Sequence, residues 1–336
     1  MAGAKKRDPF RGFTAAELAR IETGQPDLWA RMQAGELFAE DAARAWLNSK
    51  NRQGEAGKPE PPGINAAAPT PEPAPAVAVQ LPLWPEPLRA VPNGALRSAL
   101  FGAIRRGRRP YIEREKLAAI AGIEVTYTGP RLDQGDLDTW QSIIHIMRGQ
   151  GMGRECRTTS YALLKQMGLG DSGKNREILH RRIARLVANA VEIKHGRYTY
   201  MGSMLDHVFK DDATQQWVIN LNPNMLAMFA PDQFTMIQWG TRRALAGQPL
   251  AQWLHGFYSS HAEPFPLRIE TLHRLSGSEA GELWKFTQTL KKALEAVERA
   301  SAAAGQVFKW RIEDGLVYVE RTPTPAQRRH LEGGGT

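Results

Sequence analysis

One order of elements occurs twice in this chain, and it narrows the possible folds more than any other feature. Arg268 to Leu275 reads as a short helix, and Ser276-Gly277-Ser278 breaks it. A longer helix is expected from Ser278, with Leu283, Phe286, Leu290, Ala293, Leu294 and Val297 recurring at three- and four-residue steps. Its opposite face carries Trp284, Lys285, Gln288, Lys291, Lys292, Glu295 and Arg299. Phe308 to Ile312 and Leu316 to Val319 then alternate around an Asp-Gly turn, the pattern of a β-hairpin.

The same order stands earlier. Thr159 to Met167 reads as a short helix with Thr158 or Thr159 as its N-cap, and Gly168 to Gly173 as the turn. Lys174 to Glu192 reads as a helix with Leu179, Ile183, Leu186, Val187 and Ala190 on one stripe and Lys174, Arg181, Arg182 and Arg185 opposite. A hairpin of Met204 to Phe209 and Gln216 to Leu221 follows. Helix, turn, basic helix and hairpin is the order of a winged helix-turn-helix, whose longer helix enters a major groove while the hairpin lies on the backbone. A lone basic helix is adequately explained as a solvated face; two copies of the whole order are an architecture.

Charge supports a polyanionic partner. Forty-four Lys and Arg against 35 Asp and Glu leave a net +9, with a pI near 9.7. No apolar run approaches the roughly 20 residues that span a bilayer, and no apolar segment follows the basic start, so the expected partner is nucleic acid and not a membrane. The single cysteine, Cys156, leaves no internal disulfide and no thiolate zinc spacing, which fits a reducing cytoplasm.

The remaining chain divides by composition. Residues 1–50 read as a small helical region, with a capping box at Thr14 to Glu17, short helices over Asp27 to Ala34 and Glu40 to Leu47, and Trp29, Phe38 and Trp46 either to pin them or to meet a partner. Residues 51–79 alternate proline with alanine and glycine and read as a semi-extended linker. At its end Gln80-Leu81-Pro82-Leu83-Trp84 has the form of a docking motif, and equally that of the first residues packing onto the next domain. Arg105-Arg106-Gly107-Arg108-Arg109 is a dense positive cluster that fits a solvated surface loop and, next to two basic helices, also a seat for phosphates. Glu124 to Thr128 is expected as a strand, and Leu137 to Met147, Thr235 to Leu245 and Leu250 to Tyr258 as helices. The first winged-helix domain is thus placed at 80–230, the second at 231–322, and a disordered tail at 323–336.

Catalytic chemistry is tempting in one place. Gly168 to Lys174 fits the phosphate-loop spacing, but Asn175 replaces the magnesium-holding hydroxyl and a helix replaces the preceding strand. Gly168 as the residue after a helix C-cap explains the glycine. Gly149, Gly151 and Gly153 lack the context of a dinucleotide site, and the histidines sit at no ligand or triad spacing. The expectation is a protein without active site, metal or cofactor.

With both units placed, the chain resembles the TrfA family of plasmid replication initiators. The phrases that carry the resemblance are Arg97-Ser-Ala-Leu-Phe101, Val125-Thr-Tyr-Thr-Gly129 and Phe257-Tyr-Ser-Ser-His-Ala-Glu-Pro-Phe-Pro-Leu-Arg-Ile-Glu-Thr271, so that it runs from about Trp84 to Arg321. It implies binding to repeated duplex sequences in a plasmid origin (iterons), melting of the adjacent duplex, and recruitment of the host helicase and sliding clamp. Single-stranded origin DNA and a homodimeric form belong to the same expectation. The family's clamp-binding pentapeptide is similar to Gln80 to Trp84, which would give the clamp contact to Gln80, Leu81, Leu83 and Trp84. The expected DNA contacts are Lys174, Arg181, Arg182, Arg185, Trp284, Lys285, Gln288, Lys291 and Lys292. The reading is an α+β, predominantly helical protein: two tandem winged helix-turn-helix domains on a flexible arm, acting as a replication initiator. A winged-helix transcription regulator without a replication role is the alternative, and an NTP-driven DNA enzyme a further rival.

Overall fold

In the computed structural model the described residues are 18, 19, 21, 23, 26–33 and 84–333, except 106, 108, 151–154, 197 and 231. Two units separate, Met1–Ala74 and Pro75–Thr336. In the first, Pro26–Gln33 forms helix α1, close to the span expected from Asp27, and Ile21 and Met32 are fully buried. The other helices expected before residue 50, the linker at 51–79, and Gln80, Leu81 and Leu83 lie outside the described residues.

The second unit begins with β1 (Leu88–Pro92), a turn of helix α2 (Asn93–Leu96), β2 (Phe101–Gly102), β3 (Tyr111–Leu117), β4 (Ile123–Pro130) and β5 (Leu132–Asp133). Then comes a module whose order matters: α3 (Gln134–Arg148), β6 (Glu155–Thr159), α4 (Ser160–Gln166), α5 (Gly173–Val187), an inserted hairpin β7 (Ala190–His195) and β8 (Tyr198–Gly202), and a final hairpin β9 (Val208–Asp211) and β10 (Gln216–Asn220). After β11 (Phe234–Gln238) and α6 (Trp239–Ala244) the order repeats without an insert: α7 (Pro249–Ser259), β12 (Leu267–Arg268), α8 (Ile269–Leu275), α9 (Leu283–Ala303), β13 (Phe308–Glu313) and β14 (Leu316–Arg321). In both modules the strand before the helix pair adds to the last strand of the hairpin, giving sheets ordered β6-β10-β9 and β12-β14-β13.

Local chemistry sets the helix ends. Asp133 and Asp136 form a reciprocal capping box at α3, Thr159 caps α4 by accepting the Ala162 N–H, and Ser172 caps α5 by accepting the Asn175 N–H. Each short helix ends on a left-handed glycine, Gly168 at φ +71° and Gly277 at φ +60°. The apolar stripes build two cores. One gathers Trp140, Ile143, Ile144, Leu163, Leu179, Ile183 and Trp217. The other gathers Phe257, Leu272, Phe286, Leu290, Leu294 and Val317.

Buried polar contacts join the modules. The fully buried Arg242 of α6 binds Asp138 of α3 through Nε at 2.6 Å and donates to the Gln252 carbonyl oxygen of α7 at 3.2 Å. The Ala103 N–H donates to the Ser276 carbonyl at 2.7 Å. Arg131 Nη2 donates to the Gly277 carbonyl at 2.8 Å. The turn between α8 and α9 is thereby held by residues that precede the first module.

Several expectations are corrected. The helix expected over 235–245 is strand β11 followed by the short α6, because β11 pairs along its length with β1 (Val91 opposite Thr235, Arg89 opposite Ile237). Long-range pairing overrides helical spacing there. The helix expected to reach Glu192 stops at Val187; Val191 and Ile193 instead enter a four-stranded sheet β3-β4-β7-β8. The strand expected at Met204 to Phe209 begins at Val208, with Met204 and Leu205 buried in the approach to it. The helix expected from Ser278 starts at Leu283, since residues 278–282 complete the turn through the Ser278 N–H to the His273 carbonyl and the Ala280 N–H to Ser278 Oγ. The tail carries helix α10 (Pro325–Gly333), where Gln327 donates to the Ser259 carbonyl at 2.9 Å.

Candidate nucleic-acid interface

Helix α9 buries Phe286, Leu290, Ala293, Leu294 and Val297, which leaves Trp284, Lys285, Gln288, Lys291 and Lys292 exposed on its outer face. Lys285 Nζ sits 5.3 Å from the centre of the Trp284 ring, and Trp284 is 58% exposed. Among the described residues, Lys285, Lys291, Lys292 and Arg299 form no ion pair. A groove of about 600 Å³ runs beside them, with Lys285, Thr289 and Lys292 on one wall and Ile104, Arg105 and Gln248 on the other. Its carboxylate, Glu279, lies 3.6 Å from Arg131. Arg105 of the basic loop thus faces the same space as the cations of α9. Arg109 of that loop instead turns inward onto Asp133, and Arg106 and Arg108 lie outside the described residues. Leu283, expected in the buried stripe, is 38% exposed because the helix begins there, one turn beyond the edge of the core.

Helix α5 has a different electrostatic character. Lys174 is exposed and unpaired among the described residues, and Arg181 lies 3.7 Å from Glu177 with both side chains largely in water. Arg176 is held bidentately by Asp171, at 2.6 and 2.7 Å, and this pair lowers the Asp171 pKa. Two expected DNA contacts are withdrawn into the fold. Arg182 is 7% exposed and packs over Gly135, at the first turn of α3. Arg185 Nη2 binds the fully buried Asp136 at 2.6 Å, and that bond helps raise the Arg185 pKa against the effect of burial. The signal for Arg182 is in the spacing: it lies three residues after Leu179 and beside Ile183, on the buried stripe. The turn before α5 follows helix α4 and carries the Asp171 carboxylate where a phosphate cradle would need donors.

Trp84 is also withdrawn. It is 4% exposed, its Nε1 donates to His145 Nδ1 at 3.1 Å, its carbonyl accepts from Arg148, and the Arg148 guanidinium lies 5.6 Å from its ring. Since Nδ1 accepts, His145 carries its proton on Nε2 and donates it to Glu86, 2.7 Å away. Burial first, then the charge of Arg89, push the His145 pKa down to about 4. Of the two readings of Gln80 to Trp84, Trp84 follows the packing one.

Among the described residues no group of three His, Cys, Asp or Glu could hold a metal ion, and no helix is long and apolar enough to cross a membrane.

The family model described as TrfA protein matches residues 77–321. A curated plasmid replication initiator protein, TrfA of Escherichia coli, is 28% identical over 250 residues, which is 71% of this chain and 63% of the relative; the chain therefore spans less than two thirds of that protein's length. Among solved structures, domains 2 and 3 of RctB align at a TM-score of 0.49 with 14% identity, over 69% of this chain and 99% of that one. The Pi initiator protein in complex with iteron DNA aligns at 0.41 with 9% identity, over 56% of this chain and 91% of that one. The family match takes in both repeated modules, the basic face of α9 and the Trp84 pocket, and the chain belongs to the TrfA family.

Proposed function

We propose that this protein is a plasmid replication initiator: a non-enzymatic, cytoplasmic DNA-binding protein whose two modules are winged helix-turn-helix domains that grip repeated duplex sequences in an origin. The observation that carries the reading is the outer face of α9, where Lys285 and Lys292 line one groove with Arg105, and these lysines and the exposed Lys291 form no ion pair among the described residues. On α5, Arg181 is paired with Glu177 and Arg176 with Asp171 of the preceding turn, whereas Glu295 and Glu298 of α9 form no ion pair with its lysines among the described residues. Uncompensated cations on the second helix of such a module are the arrangement that phosphates complete. In this reading α9 is the principal reading helix, α5 contributes Lys174 and Arg181, and the hairpin turns at 212–215 and 314–315 rest on the backbone.

Support for the replication role comes from membership of the family and from the curated relative that bears that name. Melting of the origin, single-stranded origin DNA, a homodimeric form and the host helicase and clamp enter with it. The clamp contact is assigned to Gln80, Leu81 and Leu83, with Trp84 as the point where the peptide is tied to the folded unit. The test is a footprint of the purified full chain on the DNA flanking its own gene, paired with replication of a plasmid that carries that DNA. Protected direct repeats whose deletion stops replication support the proposal. Protection at a promoter, with replication untouched, makes the protein a transcription regulator instead.

A further inference from the structure

We infer that Leu283 and Trp284 form an apolar reading tip that recognises the C5-methyl groups of thymine in the major groove. The inference deepens the proposed DNA reading and rests on it. Leu283 is 38% and Trp284 58% exposed, and they are adjacent on the first turn of α9. Neither closes a core: Phe286, two residues on, is the first fully buried side chain of the helix. Lys285 Nζ lies 5.3 Å from the Trp284 ring, Glu282 precedes the tip as the N-cap, and Lys291 and Lys292 are exposed about two turns farther along the helix. That setting selects the occupant. A protein partner covering the pair would have to bury the Lys285 ammonium group against the Trp284 ring, whereas a duplex pairs it with a phosphate and offers one apolar group on the base edges, the thymine methyl. The first turn is also the part of a reading helix that reaches base edges. Helix α5 begins with Gly173, Lys174 and Asn175, which offer no apolar group, so methyl reading is confined to the second module.

The test uses the full chain and DNA selected from a random duplex library. Each thymine of the selected site is replaced in turn by uracil, which removes only the methyl. Loss of about fourfold in affinity at one or two positions is expected, equivalent to about 0.8 kcal/mol for each buried methyl. At the same positions, 5-methylcytosine in place of cytosine should recover part of a thymine-to-cytosine loss. In a Leu283→Ala, Trp284→Ala double variant, both groups being exposed, the uracil penalty should vanish while the melting temperature holds. Uracil tolerated at every position, or a penalty that survives in the variant, overturns the inference and leaves DNA binding intact. Self-association abolished by the variant, with uracil tolerated, would give the tip to a second copy of the chain. Failure to select any sequence would remove the DNA reading itself, and this inference with it.

Discussion

Replacing Trp84 with alanine separates the two roles that the segment from Gln80 to Trp84 could have. The indole is 4% exposed and is the donor to His145 Nδ1. Truncating a buried tryptophan costs about 3 to 5 kcal/mol. A buried imidazole nitrogen left without its donor adds about 1 kcal/mol. Trp84 lies near the start of the described part of its unit, so local detachment of residues 84–87 absorbs part of the loss and the lower end of about 4 kcal/mol is the expectation. At about 2 °C per kcal/mol for a unit of this size, thermal unfolding of the full chain should shift down by roughly 8 °C. Trp84→Phe keeps most of the apolar area and loses the hydrogen bond, for roughly 2 to 4 °C. Leu83→Ala serves as the contrast and should leave the melting temperature unchanged while abolishing capture of the sliding clamp. A Trp84→Ala protein that melts within about 1 °C of the parent would refute the reasoning, because no side chain sealed in a core is removed at so little cost.

Two further outcomes follow from buried contacts. Gly277→Ala places a methyl 2.7 Å from Arg131 Nη2 and 3.1 Å from Ala99 Cβ at φ +60°, which costs about 2 to 4 kcal/mol from backbone strain and the displaced Arg131 bond. Differential scanning should then show a fall of roughly 4 to 8 °C, against almost none for Gly281→Ala, which meets nothing within 4 Å; equal effects would sink this account of the corner. Acid should also destabilise the fold. Burial, first among the causes, holds His145 and His261 at about 4 and His255 at about 3. The unfolded chain therefore takes up protons first as pH drops below about 6.5, and stability is complete above that value and declines toward pH 4 by up to about 1.4 kcal/mol per pH unit for each histidine. A melting temperature that is flat or rising from pH 7 down to pH 5 would contradict the neutral, buried state of these rings.

Much of this was legible in the residues. The three- and four-residue steps from Phe286 to Val297 place α9, the Asp-Gly turn places its hairpin, and the same logic finds α3, α7, α8 and the start of α5, because in each the apolar face and the local breaker agree. The order of elements, read twice, anticipated the two hairpins, while the strands β6 and β12 that complete each sheet carry no such signal. The failures lie where a distant partner decides. Residues 234–238 are a strand because β1 lies beside them, and Val191 and Ile193 leave the helix because β4 offers an edge. The candidate site divides in the same way. Exposure of Lys285, Gln288, Lys291 and Lys292 follows from their place opposite the apolar stripe. The inward turns of Arg182, Arg185 and Arg109 depend on Asp136, Asp133 and Gly135 at the start of α3, far away in sequence. Only the fold brings Arg105 to the groove of α9.

The salt dependence of binding to the origin repeats tests the central claim most directly. With Arg182 and Arg185 occupied inside the fold and Arg181 shared with Glu177, the cations of the proposed contact that are free for phosphates are Arg105, Lys174, Lys285, Lys291 and Lys292. Five neutralised phosphates predict that log K falls with log salt at a slope of about −4.5, and that a Lys285→Gln, Lys292→Gln variant falls at about −2.7. A slope near zero, or the same slope in parent and variant, would contradict the assignment of α9 as the face that meets DNA.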